Sequence, residues 1–77
     1  MEKEISYLGK KVNLYKYHSE SNNYFNQRMN FLKILESNNV SFKDAVKFSK
    51  VWSNIKFKNC KYDVKILNLI KKYDKNI

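Results

Sequence analysis

Lysines recur at helical spacing in the second part of the chain, where Lys43, Lys47, Lys50, Lys58 and Lys61, interrupted only by Asn54, would line one edge of a helix with positive charge. The chemistry open to such an edge is attraction of anions. A nucleic acid backbone and an acidic protein surface both fit, and flexible lysines suit phosphate contacts that fix position without reading bases. Sequence-specific readout is disfavoured, because the usual bidentate donor to guanine is arginine and Arg28 is the only one. Residues 41–77 carry ten Lys against three Asp, and residues 1–40 carry five Lys and one Arg against four Glu. Most of the net charge of +9 therefore lies in the second part.

Other reactive side chains do not form a recognisable set. Cys60 lies close to Lys58 and Lys61, which would favour its thiolate, yet no general base stands beside it, so a buried or idle thiol is expected. His18 falls in a polar stretch and reads as solvated. One cysteine and one histidine exclude the usual zinc-ligand sets and any intramolecular disulfide, and no cofactor is implied. Without a Gly-rich phosphate loop, paired acids at catalytic spacing or a nucleophile with its base, the chain does not read as an enzyme. Tyr7, Tyr15 and Tyr17 interleave with Lys10, Lys11 and Lys16, an arrangement that can stack on unpaired bases or, more simply, pack the segment onto its own domain.

A chain of 77 residues allows one small core, and its twelve aromatic residues supply the bulk such a core needs. No leader-like or membrane-spanning apolar run is present, which places the protein inside the cell, in host cytoplasm or nucleus, or in a virion, and not among secreted proteins. Lys, Asn, Ile, Tyr and Phe make up 43 of the residues, while Gly, Ala, Arg and Pro contribute three, a usage that fits an AT-rich genome such as that of a large DNA virus, a phage of a low-GC bacterium or an organelle.

The elements that would position the lysines are helical. Phe25, Met29, Leu32 and Leu35, widened by Phe31 and Ile34, predict a helix from about Ser21 to Ser37, closed by Asn38 and Asn39. Ser41 with Asp44 forms a variant capping box that opens a second helix, whose face of Ala45, Phe48, Trp52 and Ile55 lies opposite the lysines; Trp52 reads as core. Asp63 caps a third, with Val64, Ile66, Leu67, Leu69, Ile70 and Tyr73 as a broad apolar face. Residues 1–20 are ambiguous. Ile5, Leu8, Val12 and Tyr15 follow helical spacing, whereas Ile5 with Tyr7 and Val12 with Leu14 alternate around Gly9 as a hairpin would.

The expectation is an all-α, small three-helix bundle over residues 21–77 with a partly ordered N-terminal arm over residues 1–20. Its expected role is that of a non-enzymatic basic module that binds nucleic acid or sits in a nucleoprotein or virion assembly. Lys43, Lys47, Lys50, Asn54, Lys58 and Lys61 are the expected nucleic-acid contacts. The alternative is a protein-binding module, such as a viral or phage inhibitor docking on an acidic surface of a host factor.

Overall fold

In the computed structural model, which describes residues 2–77, Leu8 and Gly9 both have positive φ, 49° and 81°. Positive φ at both central residues is what a type I′ turn demands, and that turn matches the twist of a two-stranded ribbon. The first twenty residues therefore form a hairpin of β1 (Glu2–Tyr7) and β2 (Lys10–Tyr15), paired antiparallel with Ile5 opposite Val12. Leucine is strained in this conformation. Its backbone N–H is held by a 2.7 Å hydrogen bond to Glu36 Oε2, an anchor from another element.

The hairpin overturns the all-α expectation and the partly ordered arm: the protein is a small α+β domain of two strands and three helices. The helical reading of residues 1–20 fails because it would bury Leu8, which is 45% exposed, and leave out Tyr7 and Leu14, which are buried. Period-two alternation turns Ile5, Tyr7, Val12 and Leu14 to one face, against the helices.

The three helices begin where their caps stand. They are α1 (Asn22–Ser37), α2 (Phe42–Lys58) and α3 (Val64–Lys71), with Ser21, Ser41 and Asp63 accepting from the backbone N–H groups of Tyr24, Asp44 and Ile66. Helix α2 stops at Asn59, whose left-handed backbone (φ 53°) ends the helix and keeps α2 and α3 separate; Asn59 and Cys60 both donate to the Asn54 carbonyl.

The core lies between the inner face of the hairpin, α1 and α2. Phe31 and Trp52 stack within it, with ring centroids 4.7 Å apart and planes within 5° of parallel. Phe25, Leu32, Leu35 and Ala45 belong to the same buried cluster. Helix α3 contributes less than its sequence pattern promises, since only Ile70 is buried, while Val64 is 69% and Leu69 38% exposed. No helix among the described residues is long and apolar enough to cross a membrane.

Candidate protein-docking surface

Where β2 runs into α1, the chain buries an ion pair. Arg28 Nε donates to Glu20 Oε2 at 2.8 Å and its Nη2 to Glu20 Oε1 at 3.0 Å, with both side chains nearly inaccessible. The same Nη2 donates to the Tyr15 carbonyl, and Glu20 Oε1 accepts from the Tyr17 backbone N–H. The Arg28 guanidinium also lies 4.0 Å from the centre of the Tyr17 ring. No other ion pair occurs among the described residues, and Arg28 is committed to the fold and not available to a base. A planar fork explains why arginine stands here in a chain that otherwise uses lysine: a lysine could not bridge both carboxylate oxygens and the carbonyl.

This junction forms one wall of an open cleft of about 260 Å³. Tyr17, Ser19 and Glu20 come from the β2–α1 connection, Tyr24 from the first turn of α1, and Ser53, Phe57 and Lys58 from the end of α2. Tyr24 is 39% exposed and stacks on Phe57 with centroids 3.9 Å apart. Half-exposed aromatic rings held in fixed positions bring contact area to a partner at little entropic cost, which is why tyrosine is enriched in interfaces. Just beyond, Asn54 donates through its side-chain amide to the Tyr62 hydroxyl at 3.0 Å, fixing the α2–α3 connection beside the cleft. Further along the α1–α2 pair, a more open groove of about 230 Å³ is lined by Ile34, Phe31, Trp52, Lys56 and Tyr73. There Trp52 Nε1 donates to Asp74 Oδ2 at 2.7 Å, so the ring is core and its polar edge is satisfied.

The lysines fall as follows. Lys43, Lys47, Lys50 and Lys58 are exposed along the side of α2 that faces away from Ala45, Ser49 and Trp52. Asn54 shares that edge, half-buried and bonded to Tyr62, and Lys61 lies past the break at Asn59. Of the three tyrosines in the first segment, Tyr7 is buried and donates to the Val40 carbonyl at 2.7 Å. Burial raises its phenol pKa, and the Glu36 carboxylate and the Tyr73 phenol add to the effect. Tyr15 is exposed; hydrogen bonding to Glu2, its partner across the hairpin, and that carboxylate's charge raise its pKa too. Tyr17 is half-buried on Arg28. His18 and Cys60 are exposed.

The surface of this small α+β domain thus combines aromatic clefts with a basic helix edge. Residues 12–77 match the family model of the XRN-Two Binding Domain, XTBD, and the chain belongs to that family. It is thus a protein-binding domain, and the match runs from the second half of β2 to the last residue. No curated protein and no solved structure significantly matches the chain. The cleft was not legible as a site beforehand. Its walls come from two stretches far apart in the chain, residues 17–24 and 53–58, and the only signal was the lone arginine among lysines.

Proposed function

We propose that this domain is a non-enzymatic module that docks on the exoribonuclease XRN2, using the cleft between Tyr24, Phe57 and Lys58 together with the adjoining Tyr62 connection. The observation that carries the reading is the family match over residues 12–77, which contains every residue of this surface. The geometry supports it. Aromatic side chains flank an open depression, lysine stands at its rim, and a buried bidentate ion pair stiffens its wall. Aromatic anchors in pre-organised surroundings are the residues whose truncation costs most in protein interfaces.

Calorimetric titration of XRN2 with the purified chain tests this. Binding is expected, and Tyr24→Ala should weaken it by at least about tenfold, the effect of losing roughly 1.4 kcal/mol at an anchor, while Ile34→Ser in the second groove should change it little. Absence of binding by the folded wild-type chain would overturn the proposed partner. Wild-type affinity in a folded Tyr24→Ala variant would remove the cleft from the interface.

A further inference from the structure

Protein docking leaves unexplained the most strongly charged feature of the surface. Helix α2 carries five lysines and a single carboxylate, Asp44, which sits in its first turn at the positive end of the helix dipole. Lys43, Lys47 and Lys50 lie on its solvent side, opposite the buried Ala45, Ser49 and Trp52, and none has a carboxylate within ion-pairing distance among the described residues. These three like charges lie within two turns of one another and repel, so their placement stabilises nothing in the fold.

The edge also has a direction. At 1.5 Å of rise per residue it extends about 22 Å from Lys43 to Lys58. Lys58 is itself a wall of the docking cleft, whereas Lys43, Lys47 and Lys50 lie on the preceding turns, away from it. A partner seated at Tyr24 and Phe57 therefore stands at one end of a cationic track whose other end remains in solvent.

We propose that Lys43, Lys47 and Lys50 form a phosphate-contacting edge that holds single-stranded RNA beside the docked nuclease. The choice of RNA rests on the proposed docking to an exoribonuclease, since RNA is the polyanion such a partner handles. The contact is sequence-independent, because the edge carries no arginine and no aromatic ring to read or stack a base. It is additive in charge and sensitive to salt, each lysine releasing counterions from the strand it neutralises.

The test separates the two surfaces. Binding of labelled oligouridylate to the chain alone is followed by fluorescence anisotropy between about 50 and 200 mM salt, and binding to XRN2 by calorimetry, for four proteins. These are the wild type, Tyr24→Ala, the triple variant Lys43→Gln, Lys47→Gln and Lys50→Gln, and a control triple with Lys65, Lys71 and Lys75 changed to Gln. Expected are measurable RNA binding by the wild type and a log–log salt slope flatter by about 2 in the α2 triple, from about 0.7 per lost contact, with circular dichroism and nuclease affinity unchanged. The control triple and Tyr24→Ala should retain RNA affinity within about twofold.

An undetectable wild-type RNA complex at low salt, or an unchanged slope in the folded α2 triple, would overturn the proposal. An equal loss in both triples would also overturn it, showing that net charge and not this edge is responsible. If the α2 triple instead loses the nuclease and keeps RNA, the lysines belong to the protein interface and the proposal falls. RNA binding that depends on the α2 lysines in a chain that does not bind XRN2 would sustain the phosphate contact and refute the docking reading alone.

Discussion

Replacing Glu20 with Gln should be among the most damaging single changes in this domain. The substitution is nearly isosteric, but it strips the charge that Arg28 faces from two directions at 2.8 and 3.0 Å, in a site where the two side chains are only 2% and 5% exposed. Removing one partner of a buried pair leaves an uncompensated charge and costs about 3–5 kcal/mol. A chain of this length has a total stability of roughly 4–12 kcal/mol, so a large share would be lost. For a domain of this size each kcal/mol corresponds to about 4–8 °C, and the midpoint of thermal unfolding should fall by at least about 12 °C. Urea titration followed by Trp52 fluorescence gives the free energy directly. Burial makes a further demand: the wild-type pair is screened little, so the loss should be nearly the same at low and high salt. The double variant Glu20→Gln, Arg28→Met should be less destabilised than the sum of its single changes, because the second removes the stranded charge. A loss below about 1 kcal/mol that shrinks with added salt is the behaviour of an exposed pair and would refute the reasoning.

Two further changes probe the turns and the hairpin. Tyr7→Phe removes the 2.7 Å bond to Val40 and should cost about 1 kcal/mol by urea titration. Because the Tyr7 phenol is raised in the folded state, its contribution is complete below the unfolded pKa of about 10 and is lost as pH rises through the folded value; wild-type stability should decline in that alkaline window more steeply than that of Tyr7→Phe, and parallel curves would contradict this. Asn59→Ala, which places a Cβ-bearing residue without a local side-chain bond at φ 53°, should lose about 1 kcal/mol, whereas Asn59→Gly should match or exceed the wild type; the reverse order of melting temperatures would contradict the left-handed cap.

Local chemistry made the helices legible. Ser21, Ser41 and Asp63 each accept the N–H three residues on, and the lysine edge of α2 lies where the 3.6-residue period puts it, opposite Trp52. The first twenty residues resisted because Ile5 and Val12 fit both periods, with Leu8 and Tyr15 in one and with Tyr7 and Leu14 in the other, and the deciding quantity, positive φ at Leu8 as well as Gly9, belongs to a residue that does not advertise it. The ion pair was hidden for a different reason. Glu20 reads as part of a polar connection until the strand end and α1 are brought together, and the aromatic cleft needs Phe57 to meet Tyr24 across 33 residues. Helix α3 shows the limit of apolar periodicity, which reports a face to be covered but not whether this chain covers it.

The sparse anchoring of α3 gives the domain a second, cheaper way to open. Ile70 and the Trp52–Asp74 bond fasten the C-terminal segment, with Phe48 and Tyr73 packed loosely at 6.4 Å, so its detachment exposes far less apolar surface than global unfolding does. Such a segment is expected to open as a foldon of its own, exchanging its amide hydrogens on a shorter clock than α1 when hydrogen exchange is measured. Its latch is the indole N–H of the only tryptophan in the chain. The domain thus carries an intrinsic fluorophore at the latch of its weakest unit, one that would register α3 opening while α1, α2 and the hairpin stay folded.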